Sequence, residues 1–411
     1  MELATYLVGG AVRDELLGLP PSERDWVVTG STPEAMQEAG FRQVGSSFPV
    51  FIHPETGEEY ALARTERKAG HGYHGFNVDF DPAVTLEQDL ERRDLTVNAM
   101  ARDEAGTLID PFGGQRDLER RILRHVSPAF AEDPLRVLRV ARFAARFAEL
   151  GFTVHPETLE LMRHIARTGE LGHLVPERAW QEIQAALASP RPSEFIRVLR
   201  AADALAVLLP EVEALFGVPQ DPRHHPEIDT GEHLYLAVDQ AAALGGGPEV
   251  VFAVLVHDLG KALTPAAERP AHHGHEAQGL PLVDAVCERF RVPVATRRLA
   301  RQVGRHHLRC HRILEARPGT VMSLLEGLDA FRQPDLDAFI IACQADYRGR
   351  AGRADCAYPQ GPYLREALQA ALGVRARDLG GEDDAPGPQL GERLRQARIR
   401  AIGEVTIPPA Q

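Results

Sequence analysis

In the stretch LVGGAVRDELLGLPPSERDWVV, residues 7–28, two carboxylates stand one residue apart, Glu23 and Asp25, at the head of an apolar run. Side chains alternate along a strand, so this spacing puts both carboxylates on one face and Arg24 and Trp26 on the other. Like charges that close repel unless a cation lies between them. Hard oxygen ligands of this kind suit Mg²⁺, whose shell is usually completed by water and substrate phosphates. Just upstream, Gly9-Gly10 lets backbone N–H groups approach an anion. The helix that follows carries Arg13 in its first turn and aims its positive end the same way. An E-x-D in isolation more often marks a solvated strand end. Combined with a glycine turn, a helix start and an arginine, it reads as a phosphate cradle beside a metal-holding pair.

A second concentration of chemistry lies further on. Ten of the 17 histidines fall between His224 and His311. The run EVVFAVLVHDLGKAL reads as a buried helix whose end carries His257 and Asp258 before Gly260. His233 upstream and Asp346 downstream complete a mixed imidazole–carboxylate set, which suits a transition metal better than Mg²⁺. Such an ion can generate hydroxide near neutral pH and polarise a phosphate ester. His272, His273, His275, His306 and His307 are available for a second ion or for substrate phosphate. Lys261 either binds phosphate or caps its helix.

Between these regions, EDPLRVLRVARFAARF sets Asp133, Arg136, Arg139 and Arg142 at successive spacings of three. On a helix they form a slowly drifting stripe, with Leu135, Leu138 and Phe143 turned toward a core. A solvated amphipathic face is the alternative, but none of the three arginines has the acid four residues on that such a face often supplies. Asp133 and Arg136 together offer an acceptor and donors able to pair with the edge of a base. In RRDLTVNAM, Asp94 and Asn98 share one face of a short helix, to bond a ribose or to brace the carboxylate strand. Arg93 is the better candidate for phosphate.

These groups require elements to hold them. Residues 5–110 mix apolar strand-like runs (TYLVGG, DWVVTG, FPVFIH, EYALAR, TLIDPF) with a helix to Gly18 and another over 86–101. From about residue 130 the pattern is almost wholly helical. The expectation is an α+β chain: a nucleotide-handling head over 1–125 and a helical recognition or neck region over 126–215, then a histidine-rich domain over 216–350 and a helical tail over 351–411. Residues 69–75, AGHGYHG, read as a glycine-rich loop that either closes over a substrate or is a rigid surface turn. Residues 380–388 read as a linker before a last helix over 391–402.

The chain has 411 residues and a net charge of −13, which argues against gripping nucleic acid over the whole surface. A local basic stripe remains: Arg116, Arg120, Arg121, Arg124, Arg136, Arg139, Arg142 and Arg146 face only Asp117, Glu119, Glu132 and Asp133 over the same stretch. Lys68 and Lys261 are the only lysines among 46 basic residues, and both sit inside motifs. Cys287, Cys310, Cys343 and Cys356 show no C-x-x-C pair and read as reduced thiols. No basic-then-apolar leader or bilayer-length run is seen, so a cytoplasmic protein without a membrane partner is expected.

The motifs YLVGGAVRDELLG, E-x-D, ALARTERK, RRDLTVNAM, IDPFGG and EDPLRVLRVARF occur in order over residues 6–143. Together they resemble the bacterial tRNA nucleotidyltransferases, the CCA-adding enzymes of the polymerase-β superfamily. HPEIDTGEHL, VHDLGK, HHGHE and QADYRGR extend the resemblance to the multifunctional form with an HD phosphohydrolase domain. The resemblance implies a polymerase-β-like head with a small mixed sheet and an all-helical body. It places metal ligands on Glu23 and Asp25 and nucleotide contacts on Gly10, Arg13, Arg93, Arg139 and Arg142. It makes Asp133 and Arg136 the stand-in for a template that chooses C or A. For the histidine site it implies the ligand order His233, His257-Asp258, Asp346, with phosphatase, 2′-nucleotidase and 2′,3′-cyclic phosphodiesterase activities and often Ni²⁺. The implied partners are tRNA, CTP and ATP, with Mg²⁺ for addition, in a monomer or homodimer. One departure is that the family pattern is usually D-x-D, and glutamate at 23 moves its carboxylate about one C–C bond further from the backbone. The competing readings are a poly(A) polymerase, a phosphohydrolase with a silent head, and a non-catalytic tRNA-binding protein.

Overall fold

Val27 and Val28 face opposite sides of one strand, and each enters a different apolar cluster. Val27 packs with Val8, Leu90, Ala99 and Ala101. Val28 packs with Met36, Phe51, Tyr60 and Leu62. A strand buried on both faces must lie inside a sheet, which the computed structural model bears out. The structure describes residues 3–20, 23–44, 50–68, 76–79, 81–333, 335–378 and 388–408. The chain forms two compact units, Met1–Ala186 with Glu194–Leu208, and Leu187–Ser193 with Leu209–Gln411.

The first unit opens with β1 (Ala4–Val8), α1 (Gly10–Leu16), β2 (Asp25–Thr29), α2 (Pro33–Glu38), β3 (Arg42–Val44), β4 (Val50–Ile52) and β5 (Glu59–Leu62). A hairpin of β6 (Thr65–Lys68) and β7 (Phe76–Asp79) follows, then α3 (Leu86–Glu91), β8 (Ala101–Arg102), β9 (Leu108–Ile109), α4 (Gly114–Glu119) and β10 (Ile122–Leu123). The sheet order is β3-β4-β5-β2-β1-β8-β9, and β2 with β5 is its parallel pair. Beyond it lie α5 (Leu135–Phe147), β11 (Thr153–Val154, parallel to β10), α6 (Pro156–Arg167), α7 (Pro176–Leu187), α8 (Pro192–Ala201) and α9 (Leu205–Leu208).

The predicted helix over 86–101 is much shorter. Thr85 and Gln88 start α3 with a reciprocal capping box, but the helix ends at Glu91. Thr96–Asn98 forms one 3₁₀ turn, and β8 begins at Ala101. The chain bends here because Leu95, Val97, Ala99 and Met100 are all fully buried. A continuous helix would swing some of them to solvent. The glycine-rich stretch 69–75 and most of the expected linker lie outside the described residues.

The second unit is helical: α10 (Pro210–Glu213), α11 (Thr230–Ala243), α12 (Pro248–Val256), α13 (His275–Arg289), α14 (Val294–His311), α15 (Pro318–Gly327), α16 (Leu336–Arg348), α17 (Gln360–Gly373) and α18 (Pro388–Gly403). Val250 to Val256 of α12 are all buried, so this helix forms the unit's centre, surrounded by α11, α14 and α16. The last helix starts three residues earlier than expected, at Pro388. The four cysteines are free, as expected. No helix of the described residues is long and apolar enough to cross a membrane.

Candidate functional site

In the first unit, strand pairing positions the carboxylates. Asp25 opens β2 and lies opposite Val8, the residue before Gly9-Gly10, and opposite Glu59 of the parallel strand β5. Glu23 precedes the strand rather than belonging to it, so simple strand alternation does not fix its direction. Trp26 turns to the other face, stacked on Tyr60 at 5.5 Å with Arg24 over its ring, as alternation predicts. Burial raises the Asp25 carboxyl above its ordinary value, and the charges of Glu59 and Glu23 add to the shift against the pull of Arg93. This is the electrostatic signature of carboxylates crowded where a cation is favoured. Glu59 was not singled out in the sequence.

Gly9 is the residue before α1, with φ 69°, a left-handed conformation that favours glycine. A β-carbon there would meet Arg93 Nη1 at 2.9 Å. Arg93 therefore lies against the glycine turn, held by Asp89 at 3.2 Å and by the Asn98 carbonyl at 3.4 Å. Arg93, Gly9, Gly10 and Asp25 are brought together as expected from the sequence.

Arg13 is not in that opening. It is 2 % exposed, with its guanidinium beside Phe143 and Phe147 of α5 at 5.0 and 5.1 Å from the ring centres. Its Nε donates to Asp14 and its Nη1 to Asn98 Oδ1. From there a polar chain runs inward. Asn98 Nδ2 donates to Asp94 Oδ1 at 2.9 Å, and Arg139 Nε donates to Asp94 Oδ2 at 2.7 Å. Glu182 of α7 accepts from Arg139 at 3.4 Å and from Arg142 at 2.5 Å. Asp94 and Asn98 thus meet, although through a bend and a 3₁₀ turn rather than along a helix. Burial would raise Asp94, but Arg139, Asn98 and Arg136 outweigh burial and hold its carboxyl well below the usual range.

The arginine stripe also differs from expectation in its electrostatics. The acids missing at i+4 come from Asp94 and Glu182, far away in the chain, so Arg139 and Arg142 are paired after all. Arg136 is buried and donates to the carbonyls of Ala129 and Arg92. Its donors are therefore engaged with backbone rather than presented to an open base pocket. Asp133 accepts from the Leu135 N–H at 3.0 Å and keeps its other oxygen 3.7 Å from Arg178.

In the second unit, His233 of α11, His257 and Asp258 at the end of α12, and Asp346 of α16 converge as the sequence predicts. His233 Nε2 is 3.0 Å and His257 Nε2 is 3.8 Å from Asp346 Oδ1, and His257 Nε2 is 3.1 Å from Asp258 Oδ2. All four are at most 3 % exposed. Each imidazole is oriented through its other nitrogen. His257 Nδ1 lies 2.7 Å from the Val254 carbonyl, and His233 Nδ1 lies 3.1 Å from Glu227. With Nδ1 set on an acceptor, each ring turns Nε2 inward toward the carboxylates, the orientation seen around bound metals. Among the described residues, His257 Nε2 and the Asp258 oxygens are buried without a well-formed hydrogen bond. Burial lowers the His257 pKa, yet Asp258 and Asp346 outweigh burial and lift it to about 10. The donor set fits a divalent cation.

His311 Nε2 at 2.6 Å from Asp346 Oδ2, and Glu227 behind His233, are contributors the sequence reading did not assign. Lys261 neither caps its helix nor stands free: its Nζ lies 2.6 Å from Asp258 Oδ2 and from Gln220 Oε1. A cavity of about 1090 Å³ opens over the cluster, with Arg309, Arg312, Arg317 and Arg350 in its walls.

A nucleotide-handling α+β unit joined to a helical unit with a buried histidine–aspartate metal set defines a nucleotidyltransferase carrying an HD domain. Three family profiles agree with this: Poly A polymerase head domain over residues 5–124, probable RNA and SrmB-binding site of polymerase A over 151–216, and HD domain over 230–347. The chain is 59 % identical over 404 residues to the multifunctional CCA protein of Thioalkalivibrio sulfidiphilus, covering 98 % of each chain. It is 59 % identical over 402 residues to that of Methylococcus capsulatus, covering 97 % of this chain and 94 % of the relative. The Bacillus stearothermophilus CCA-adding enzyme, solved in complex with CTP, matches with TM-score 0.63 and 26 % identity, over 98 % of this chain and 90 % of that one. The chain belongs to the multifunctional CCA protein family. Both of its domains are of divalent-metal-dependent kinds.

Proposed function

We propose that the first unit adds C, C and A to tRNA 3′ ends from CTP and ATP without a template, and that the histidine site hydrolyses phosphate esters at RNA ends. The observation that carries the first half is the meeting of Asp25, Gly9-Gly10 and Arg93 at one strand edge. Glu23 and Asp25 hold Mg²⁺, which when bound neutralises phosphate charge and lowers the pKa of the attacking 3′-hydroxyl. The Gly10 amide and Arg93 receive the nucleotide phosphates, and their fixed positions hold the α-phosphate in line for attack. Asp133 reads the base edge, with Arg136 as its partner after its backbone contacts are exchanged. Arg139 and Arg142, held by Asp94 and Glu182, set the nucleotide side of α5, and Arg13 is the buried brace beneath it. The CTP carried by the Bacillus stearothermophilus relative supports this choice of substrate.

For the second half, His233, His257, Asp258 and Asp346 would hold a transition ion, which their mixed imidazole and carboxylate donors suit, with Ni²⁺ the metal that the family resemblance implies. When bound it supplies an activated water and a Lewis acid for phosphatase, 2′-nucleotidase and 2′,3′-cyclic phosphodiesterase reactions. Arg309, Arg312, Arg317 and Arg350 supply the positive walls that a phosphate ester requires. The test is a double dissociation. Asp258→Ala is expected to abolish hydrolysis of a 2′,3′-cyclic nucleotide while nucleotide addition persists, and Asp25→Asn to do the reverse, each by more than about 100-fold. Loss of both activities in both variants would contradict two independent sites.

A further inference from the structure

His306, one of the histidines that the sequence offered to the second site, turns into a separate cavity of about 600 Å³ rather than the one over the histidine–aspartate cluster. Its Nε2 lies over Gly327, 2.9 Å from where a β-carbon would stand, so the missing side chain is what admits the ring. His306 is 7 % exposed, and its Nδ1 is buried without a hydrogen-bond partner among the described residues. A buried ring nitrogen left open costs free energy that a ligand in the cavity would recover.

α14 supplies one wall of this cavity. Arg298, Arg301, Arg305 and Arg309 recur at spacings of three and four, so they share a helix face with Val294 and extend over about 16 Å. Among the described residues no acid lines the cavity. Three of its arginines are held by acids outside it: Asp284 accepts from Arg297 at 2.8 Å and from Arg301, and Asp335 accepts from Arg298. Arg305 and Arg309 are exposed and make no hydrogen bond or ion pair among the described residues. Two guanidinium groups thus stand free for an anion.

The rest of the lining is apolar. Leu280 of α13 and Val294, which is 83 % exposed, lie beside the arginines. An apolar surface next to guanidinium planes suits an unstacked base, and free arginines suit its phosphates. The volume is that of a site for a ligand of nucleotide size. Arg309 lines both this cavity and the larger one over the cluster. An RNA strand ending at the cluster can therefore continue past Arg309 into the second cavity, whereas a mononucleotide at the cluster leaves that cavity unused.

We propose that the cavity along α14 holds the nucleotide preceding an RNA 3′ end bound at the histidine–aspartate site, with Arg305 and Arg309 on its phosphates and His306 on its base or ribose. The proposal rests on the phosphohydrolase reading of that site and adds to it a preference for RNA over mononucleotides. The competing occupant is a free nucleotide acting as an effector.

The test uses the full chain without CTP or ATP and compares a 2′,3′-cyclic mononucleotide with a short RNA ending in the same cyclic phosphate. In the parent, KM for the RNA is expected to be at least about tenfold lower, the worth of one charge-assisted hydrogen bond. Arg305→Ala should remove most of that advantage and flatten the slope of log KM against log salt by about 0.7. Its kcat, and its KM for the mononucleotide, should stay at the parent level. Arg305→Lys should restore the salt slope. A merely structural role would not give a change confined to one substrate and to the salt slope.

Equal KM values for the two substrates in the parent, equal effects of Arg305→Ala on both, or an RNA KM that it leaves unchanged would overturn the RNA path while leaving the phosphohydrolase reading standing. An effect of added AMP on mononucleotide hydrolysis that Arg305→Ala abolishes, with RNA KM unchanged, would overturn it in favour of a free nucleotide. No hydrolysis of either substrate by the parent overturns the phosphohydrolase reading and the RNA path with it.

Discussion

Arg93 rests against the missing side chain of Gly9, with its Nη1 2.9 Å from where a β-carbon would be. The contact couples the glycine turn to the arginine whose charge acts on Asp25, so one substitution tests the cradle. Gly9→Ala combines a left-handed φ with displacement of the guanidinium, for a cost of about 1–3 kcal/mol. Nucleotide addition is expected to fall at least tenfold in kcat/KM, while cyclic phosphodiesterase activity stays at the parent level. Steady-state assays of both activities on one preparation check this. Unchanged addition would mean that Arg93 and the turn do not act together.

Glu182 is the acid that makes the arginine helix work as a unit. Glu182→Gln removes the charge facing both Arg139 and Arg142, and is expected to destabilise the first unit by about 2 kcal/mol. It should raise the apparent KM for CTP and ATP together, as should Arg142→Ala. Asp133→Ala, by contrast, is expected to relax the choice between C and A. Product sequencing beside KM measurements separates these effects. Equal loss of selectivity and affinity in all three variants would contradict the division of labour along α5.

Asp94 gives a signed pH dependence. Its folded carboxyl is held below the ordinary value of about 3.9, because Arg139, Asn98 and Arg136 outweigh burial. A group with a depressed folded pKa contributes stability above its unfolded pKa and loses that contribution as pH falls toward the folded one. The melting temperature of the parent should therefore fall more steeply below about pH 4 than that of Asp94→Asn. Parallel curves for the two proteins, followed by calorimetry, would contradict the role given to this buried carboxylate.

The parts of the sites that were legible in the sequence are those in which local geometry carries the signal. The glycine turn beside E-x-D, the HD dipeptide at the end of an apolar helix, and the pairing of Trp26 and Asp25 with opposite strand faces all follow from spacing within a few residues. What spacing could not supply was partners distant in the chain. Glu182 lies 40 residues from Arg142, and Glu59 reaches Asp25 only through a parallel strand pairing. Arg13 looked like a phosphate ligand because a helix start is a natural anion site, yet Phe143 and Phe147 cover it. The helix expected over 86–101 failed because burial of Leu95, Val97, Ala99 and Met100 on one bend outweighs the helical period.

Incubating the protein with Mg²⁺ and a tRNA transcript lacking its 3′ CCA tests the central claim most directly. CTP alone, ATP alone and both together are supplied, and products are resolved to single nucleotides. The predicted result is two Cs with CTP, then one A and a stop when both are present. A long A tail, or no addition while phosphate ester hydrolysis is intact, would contradict it.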